Sequence, residues 1–504
     1  MSVNLVNIVF GMKIRQARTE ASLTLTEFAA QSDLSPSYVT EIEKGRKYPR
    51  ADKIMRMAEV LDREYDDLVS IKLAPSLAHL ESALSSSIVR RFPFEEFGFE
   101  AEDLVNLMTR QPDRASALLH ALLSIGRRYD LGEADFLLAA LRSYQEIHEN
   151  YFPDVEDAAL NFIAEFGPKY GFPEEPPIHL DVLERILREE YGYEIDDERI
   201  AATPPLAMYR SVTVEGKRPW LLVNSALYGR QIKFLLAREL GYLHLGYKAR
   251  SFTSPPDRTG SFDKLLNDFK AAYFGGVLLM PRMAMLNDLQ NFFDQTTWQP
   301  QLLSDMLSRY EITPEMLLYR FSELLPQFFG LRLHFLRFHN TNIGYKLIKQ
   351  LSMNQVLVPS GIGLHEHFCR RWLSVRLLRE MEQENAPQTS EDPPLVGAQL
   401  SAFLDSGDRF LSIGLARPLA TQPDVNSSVV VGFPVDEQLK KVAGFLDDLA
   451  LFRDTVNETC ERCPLTRDQC AVRGAEPIRL QEQEAERERQ QAMRDLAAQL
   501  PNTP

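Results

Sequence analysis

The sequence predicts a multidomain, mainly α-helical protein with α+β parts. Three observations support this prediction: the length of the chain, the spacing of its apolar residues and the position of its strand-like segments. A chain of 504 residues is about three times as long as a typical domain. Apolar residues recur at helical spacing through the first half, and strand-like runs follow residue 300.

The N-terminal segment is predicted to be an all-α domain of five short helices. Ser35 can cap the third helix, whose first residue, Pro36, has no amide hydrogen to lose. Gly45 suits the left-handed conformation that ends this helix. The predicted helices are Gly11–Ala21, Thr24–Gln31, Pro36–Lys44, Ala51–Leu61 and a last turn at Glu64–Val69.

The middle of the chain is predicted to contain a helical connector followed by a new structural unit. Apolar residues of the connector recur every three or four positions, as in 115–123. The proline-rich piece Phe172–Pro177 opens the new unit. Within that unit we predict an amphipathic helix at Leu180–Tyr191, a buried strand at Trp220–Val223 and a second amphipathic helix at about Gly229–Leu245.

The C-terminal part is predicted to be an α+β domain that ends in a charged tail. Its strand-like runs, Leu331–Phe338, Phe410–Leu415 and Ser428–Phe433, alternate with helical ones. The polar, proline-containing stretch Gln388–Pro394 is interpreted as a loop. Charge is dense from Glu482 to Arg494, which favours a solvated or frayed helix there.

Composition restricts the classes of function. The net charge of −15 argues against a general affinity for polyanions, so nucleic-acid binding would need a local basic patch, which residues 44–56 supply. The start of the chain does not resemble a signal peptide, and no run of about 18 apolar residues occurs. We therefore expect a cytoplasmic protein without a membrane partner.

The N-terminal segment carries a DNA-binding pattern. The stretch "MKIRQARTEASLTLTEFAAQSDLSPSYVTEIEKGRKYPRADKIMRMAEVLD" resembles the Xre, or lambda-repressor-like, helix-turn-helix family, although Leu25 stands where that family often has Gln. In such domains the third helix enters the major groove while the helix before it crosses the phosphate backbone. The residues predicted to face bases are Ser37, Tyr38, Thr40 and Glu41, with Ser35 at the start of the helix. The residues predicted to contact phosphates are Arg15, Lys44, Arg46 and Lys47.

The expected partner is a double-stranded DNA operator, bound by a homodimer. Helix-turn-helix proteins usually read two half-sites about 34 Å apart, which favours a dimer.

The second unit resembles the ImmA/IrrE family of metallopeptidase-like domains. The resemblance lies in "PWLLVNSALYGRQIKFLLARELGYLHLG" and "DFKAAYFGGVLLMP". A working zincin binds zinc through two His four residues apart and uses the Glu between them as general base. Here the positions of the two His are Arg238 and Tyr242, whereas Glu239 is retained and Asp268 aligns with the third ligand. Because a guanidinium stays protonated and repels a cation, we predict a degenerate zincin-like domain with no catalytic residues and no enzyme activity. His244 lies off the ligand face of the helix and is predicted to be a packing residue.

The four cysteines of the chain suggest a metal site. Cys460, Cys463 and Cys470 form C-x2-C-x6-C, and Cys369 lies in "HFCRRW". Disulfides are improbable in a reducing cytosol. Four thiolates satisfy either tetrahedral zinc or a four-iron cluster, and their spacing leaves both open.

The combination of these segments with "ENYFPDVEDAALNF", "FCRRW" and "CERCPLTRDQCAVRGAEP" resembles the short-chain fatty acyl transcriptional regulators. The resemblance implies regulation of propionate- and acetate-type metabolism, sensing of an acyl-CoA, and a [4Fe–4S] cluster, with zinc as the alternative. A CoA thioester needs cations for its phosphates and an apolar slot. The candidate cations, chosen by residue type, are Arg337, Lys346, Lys349, Arg370 and Arg371.

The predicted domains follow from these assignments. They are the helix-turn-helix domain at 6–72, the helical connector at 73–150, the degenerate metallopeptidase-like domain at 151–290, the α+β ligand-sensing and cysteine domain at 291–478 and the tail at 479–504. Two alternative functions stay open. One is a metallopeptidase that cleaves a repressor, and the other is an antitoxin-like module whose DNA contacts serve autoregulation.

Overall fold

The computed structural model describes residues 5–70, 93–98, 133–256, 260–341, 344–354, 366–383, 387, 389, 391–474 and 487–491. Most of the predicted connector and most of the predicted tail lie outside these residues. The chain divides into two compact units, Met1–Tyr144 with Arg258–Leu265, and Gln145–Asp257 with Leu266–Pro504. None of the described helices combines the length and the apolar content needed to cross a membrane.

The first unit begins with the five predicted short helices. The first of them starts earlier than expected, because residues before Gly11, including Ile8 and Val9, are buried as well. The other boundaries agree with the prediction to within one residue. The observed helices are α1 (Leu5–Glu20), α2 (Leu25–Gln31), α3 (Pro36–Glu43), α4 (Ala51–Val60) and α5 (Tyr65–Val69).

Apolar side chains from all five helices share one core. Phe10, Phe28, Val39, Met57 and Leu68 lie in it, each nearly or fully buried. A compact all-α domain is therefore formed as predicted.

From residue 133 onward the chain alternates helices with two β-sheets. The helices at Leu180–Tyr191 and at Gly229–His244 and the strand at Trp220–Val223 confirm the sequence prediction. The helices are α6 (Glu133–Ile147), α7 (Pro153–Tyr170), α8 (Leu180–Tyr191), α9 (Gly229–His244), α10 (Phe262–Leu279), α11 (Arg282–Phe293), α12 (Pro300–Arg309), α13 (Pro314–Leu324), α14 (Leu373–Glu380) and α15 (Glu437–Val442).

The smaller sheet belongs to the metallopeptidase-like region. Its strand order is β1-β3-β2-β4, with β1 parallel to β3 and the other pairs antiparallel. Its strands are β1 (Glu194–Asp196), β2 (Ser211–Val214), β3 (Trp220–Val223) and β4 (Thr253–Ser254).

The larger sheet has six strands in the order β10-β7-β8-β9-β5-β6, of which only the pair β10 and β7 is parallel. The leucines Leu373 and Leu377 of α14 pack on it against Ala416 and Val430. This confirms the predicted α+β architecture. The strands are β5 (His334–Thr341), β6 (Gly344–Ser352), β7 (Leu395–Phe403), β8 (Arg409–Pro418), β9 (Asn426–Pro434) and β10 (Phe452–Val456).

One predicted strand starts later than expected. The run Leu331–Phe338 enters the sheet only at His334, because Gly330, at φ 66°, ends the preceding turn. Leu331 and Leu333 are buried in the connection before β5. Apolar character alone therefore placed this strand three residues too early.

Candidate DNA-binding, metallopeptidase-like and cysteine sites

Helix α3 is capped by the residues that the sequence suggested. Ser35 is the N-cap, and its hydroxyl accepts a hydrogen bond of 3.2 Å from the backbone N–H of Tyr38. Gly45 has φ 69°, a left-handed conformation that suits glycine. Both ends of the helix are thus set by local chemistry.

An ion pair anchors the C-terminal end of α3 to α1. The Arg18 guanidinium donates to both carboxylate oxygens of Glu43, at 2.6 and 3.1 Å, and to the carbonyl oxygen of Leu23 at 2.7 Å. The bond to Glu43 raises the pKa of Arg18. Because the paired side chains are only 15% and 7% exposed, this contact holds α3 at a fixed angle to α1.

The residues predicted to face bases lie along the early part of α3. Ser37 is exposed, whereas Tyr38, Thr40 and Glu41 are partly exposed. The Thr40 hydroxyl donates to the carbonyl oxygen of Pro36 at 2.9 Å. A carboxylate oxygen of Glu41 lies 3.7 Å from the Arg46 guanidinium, and this ion pair links α3 to the loop that follows it.

The basic residues predicted to contact phosphates surround this helix. Arg46 and Lys47 are exposed after α3, while Arg15 on α1 and Lys44 at the end of α3 are partly exposed. Lys53 on α4 belongs to the basic patch at 44–56, although it was not among the residues predicted to contact phosphates. Its Nζ lies 4.1 Å from the ring centroid of Tyr38, and Nζ of Lys47 lies 5.7 Å from the same centroid. The tyrosine is thereby held next to two lysines.

The zinc-ligand positions of the metallopeptidase-like scaffold lie on α9. Gly241 lets α9 approach α10 closely, because a Cβ there would come within 2.7 Å of the carbonyl oxygen of Ala271. Arg238 bonds to the hydroxyls of Ser254 and Ser211, at 3.2 and 3.5 Å, instead of to Glu239.

A second arginine engages the retained glutamate. The Arg250 guanidinium donates two hydrogen bonds of 2.6 Å to the carboxylate of Glu239, and the Tyr193 hydroxyl donates a third of 2.7 Å. Arg250 also stacks on the ring of Tyr242, 3.8 Å from its centroid. Glu239 and Arg250 are almost fully buried. The carboxylate that would serve as general base in a zincin is therefore neutralised by a fixed organic cation.

Tyr242 and Asp268, at the other zinc-ligand positions, also have hydrogen-bond partners within the protein. The Tyr242 hydroxyl donates to Asp268 at 2.7 Å, and the backbone N–H of Ser251 donates to the same carboxylate oxygen at 2.9 Å. Burial raises the pKa of Tyr242, which stays a neutral donor. His244 packs edge-on against Phe162 and beside Phe274.

The four cysteines line one pocket although Cys369 is distant in sequence. A β-bridge between Phe368 and Thr459 brings the two segments together, and the backbone N–H of Cys460 donates to His367 at 2.8 Å. All four thiols are buried. Burial raises the pKa of Cys369 to about 11, while backbone N–H groups of Asn457 and Arg371 oppose the shift.

Hydrogen-bond donors point at the sulfur atoms. The backbone N–H of Gly474 donates to Sγ of Cys460, and Nε of Arg371 donates to Sγ of Cys470, both at 3.2 Å. Such donors stabilise thiolates and tune iron–sulfur clusters. Within the described residues, however, no three or more His, Cys, Asp or Glu side chains form a group that could hold a metal ion in the positions they occupy.

The predicted ligand-binding cations do not form one group. Arg371 also bonds to Asp454 and to the carbonyl oxygens of Thr455 and Gln469, so it ties the cysteine segments to β10. Arg370 lies over the ring of Tyr345 at 5.8 Å. The others lie on β5 and β6: Arg337 beside Ser427, Lys346 opposite His339, and Lys349 over Tyr319.

An apolar pocket lies between α14 and the larger sheet. Trp372, Phe403 and Phe410 supply aromatic walls, and the hydroxyls of Ser401 and Ser412 are among its few polar groups. Val456 lines this pocket and the cysteine pocket alike. Sequence periodicity could not find it, because its walls come from separate strands.

Two parts of the chain match known protein families. Residues 14–68 match the helix-turn-helix family, and residues 196–322 match the IrrE N-terminal-like domain family. Among solved structures the chain is similar to a Mycobacterium tuberculosis transcriptional regulator, with 16% identity and a TM-score of 0.47, over 66% of this chain and 92% of that one. No curated protein matches. The chain therefore contains a helix-turn-helix domain and an IrrE N-terminal-like domain.

Proposed function

We propose that the protein is a DNA-binding transcriptional regulator that acts as a homodimer in the cytoplasm. The observation that carries this proposal is α3: a capped helix, anchored by the Arg18–Glu43 pair and flanked by basic residues, within a helix-turn-helix domain. A helix of this kind can present side chains to the major groove while the surrounding cations contact phosphates.

Selection from random duplexes, followed by fluorescence anisotropy over a range of salt concentrations, tests the DNA assignment. Replacing Lys44, Arg46 and Lys47 by Gln should weaken binding to all sequences and flatten its salt dependence. Changes at Tyr38 or Thr40 should alter the preferred sequence. Arg63→Gln, in the same domain but paired with Glu20, is the control. Tight binding that survives both sets of changes would refute the assignment.

We further propose that the metallopeptidase-like domain is not a working peptidase. The support is electrostatic. Arg250 already neutralises Glu239, and Arg238 places a second cation near Tyr242, at the other former zinc-ligand position. A metallopeptidase is the second candidate function, because residues 196–322 match the IrrE N-terminal-like family. Zinc analysis of the full-length protein and a cleavage assay decide between them. Bound zinc together with proteolysis that is lost in Glu239→Gln would establish the peptidase.

For the four cysteines we propose a [4Fe–4S] cluster, with zinc as the alternative. Four buried thiols around one pocket, with N–H donors to two sulfurs, fit either group. A single zinc ion requires Zn–S distances of about 2.3 Å. The resemblance of the cysteine segments to those of the short-chain fatty acyl regulators favours the cluster over zinc. Such a group would supply redox or iron sensitivity, while Arg371 and the Gly474 N–H would stabilise the thiolates.

Metal analysis separates the two alternatives. Anaerobically purified protein with a cluster should be brown and contain iron, whereas zinc protein is colourless and air-stable. Changing any one of Cys369, Cys460, Cys463 or Cys470 to Ser should remove the metal. Full occupancy in Cys369→Ser would show that this residue is only a buried thiol.

The effector that we propose is a short-chain acyl-CoA of propionate or acetate type. The apolar pocket under α14 would suit an acyl group, and the cationic residues Arg370 and Arg371 lie at the adjoining cysteine pocket. Titration calorimetry against acetyl-, propionyl- and longer acyl-CoAs tests this. Equal, weak heats of binding for all these acyl-CoAs would exclude a short-chain acyl-CoA as the effector.

A further inference from the structure

Four arginine side chains from four separate elements influence one another inside the second unit. Arg210 precedes β2, Arg238 lies on α9, Arg337 on β5 and Arg417 near the end of β8. Burial, together with the nearby Arg337 and Arg238, lowers the pKa of Arg210 to about 10. Burial and Arg210 lower the pKa of Arg417 to about 9. Arg210 is thus repelled by the guanidinium groups of Arg238, Arg337 and Arg417.

One carboxylate contacts two of these arginines. Glu315, on α13, lies 2.7 Å from Arg417 and 3.8 Å from Arg337. Neither Arg210 nor Arg238 forms an ion pair with a carboxylate of the described residues. The positive charges of the four arginines therefore outnumber the negative charge of Glu315 by three, with Arg417 buried and the other three arginines partly buried.

The neutral groups around the arginines are hydrogen-bonding side chains. Arg337 donates to the hydroxyl of Ser427 at 3.2 Å, and Arg417 donates to the hydroxyl of Tyr228. Burial and the nearby Arg337 lower the pKa of His339 to about 4, so its ring is neutral. Its Nε2 is buried and has no hydrogen-bond partner among the described residues. The Arg210 guanidinium likewise forms no hydrogen bond with a described side chain.

The arginine group lies apart from the apolar pocket. Leu336 lines that pocket, and the next residue of β5, Arg337, points to the opposite face of the sheet, as successive strand residues do. Residues of β9 and β8 continue this face, because His339 pairs with Ser427 and Ser427 pairs with Arg417. The arginines thus form a second, separate place where a ligand could bind.

We propose that Arg210, Arg337 and Arg417, with His339 as a further hydrogen-bonding group, bind the phosphate group of an anionic ligand. Guanidinium groups recognise phosphate through paired N–H donors, and several of them suit a multiply charged oxyanion. The anion would neutralise the excess charge and supply acceptors for Arg210 and His339. The phosphate comes either from a free inorganic anion or from a nucleotide-based molecule such as a CoA thioester. The inference does not depend on which effector occupies the apolar pocket.

A purely structural role predicts the opposite effect on stability. If Arg210 held the fold together, Arg210→Gln would lower the midpoint of thermal unfolding of the ligand-free protein. Because Arg210 has repelling neighbours and its guanidinium forms no hydrogen bond with any of the described residues, we expect the midpoint to stay the same or rise.

The experiment uses full-length protein and inorganic pyrophosphate, with binding measured by calorimetry and by thermal unfolding at constant ionic strength. Pyrophosphate should bind the wild-type protein and raise its unfolding midpoint. Arg210→Gln and Arg337→Gln should weaken binding at least about tenfold, and Arg337→Lys should retain part of it. The exposed Arg332→Gln should bind like wild type.

An acetyl-CoA arm identifies the source of the phosphate. If acetyl-CoA binding depends on Arg210, the site holds a nucleotide phosphate, and if only pyrophosphate binding does, the ligand is a free anion. The proposal is overturned if pyrophosphate does not bind, or if it binds Arg210→Gln and wild type equally. It is also overturned if Arg210→Gln destabilises the ligand-free protein while leaving anion binding intact.

Discussion

Replacing Arg250 by Met should destabilise the metallopeptidase-like domain strongly. The change removes two hydrogen bonds of 2.6 Å. It leaves the carboxylate of Glu239, 1% exposed, with the Tyr193 hydroxyl as its remaining hydrogen-bond donor among the described residues. Breaking a buried ion pair by removing one partner costs about 3–5 kcal/mol, because a charge is left uncompensated. The loss of stacking on Tyr242 acts in the same direction.

Amide hydrogen exchange measures this loss of stability within the metallopeptidase-like domain itself. The backbone N–H groups in the middle of α9 exchange through opening of the surrounding domain, so a loss of about 3–5 kcal/mol should speed their exchange at least about 100-fold. Three controls accompany the measurement: Arg218→Met on an 80% exposed side chain, Glu239→Gln, and the double variant Glu239→Gln/Arg250→Met.

The double variant distinguishes an ion pair from simple packing. It lacks the unpaired charge and should therefore be more stable than Arg250→Met alone, although it contains one substitution more. If the amide exchange rates of Arg250→Met match those of the Arg218→Met control, the view that Arg250 neutralises Glu239 is refuted.

Three further outcomes are expected. Arg18→Met should cost about 3 kcal/mol by removing the partner of the largely buried Glu43, and it should weaken binding to every DNA sequence; unchanged urea unfolding of the N-terminal domain would contradict this. Lys53→Met removes the cation 4.1 Å from the Tyr38 ring, a contact worth about 0.5–1 kcal/mol. It should lower the ratio of specific to scrambled-DNA affinity by a few-fold, while the control Lys217→Met leaves this ratio unchanged. Burial raises the pKa of Glu323 to about 7 despite the opposing effect of Arg320. The folded state therefore binds this proton more tightly than the unfolded state, so the free energy of unfolding should fall as pH rises from about 5 through 7. Glu323→Gln should flatten that dependence, and equal pH slopes for both proteins would argue against it.

Local signals in the sequence were sufficient for most individual elements. Ser35, Pro36 and Gly45 act within one helix, so their positions predict its ends directly. Strand β10 was missed because Phe452–Val456 contains two charged residues and joins the sheet through pairing with the distant β7.

The sites depended on contacts that a single sequence does not display. Arg250 lies eleven residues after Glu239, outside the helix whose periodicity drew attention to that glutamate. Only the fold selects Arg250 as the partner of Glu239. Arg210 and Arg417 come together with Arg337 across more than two hundred residues, so no spacing rule could group them.

The attachment of β10 has a practical consequence for handling this protein. Arg371 bonds to Asp454 and Thr455 of β10 while also contacting Cys470, so the cysteine segment clamps the edge strand in place. If that clamp loosened, the nine-residue strand β7 would become a bare sheet edge, and such edges recruit strands from other molecules. Damage to the thiols by air should accordingly first appear as aggregation, in light scattering, before any loss of helical circular dichroism.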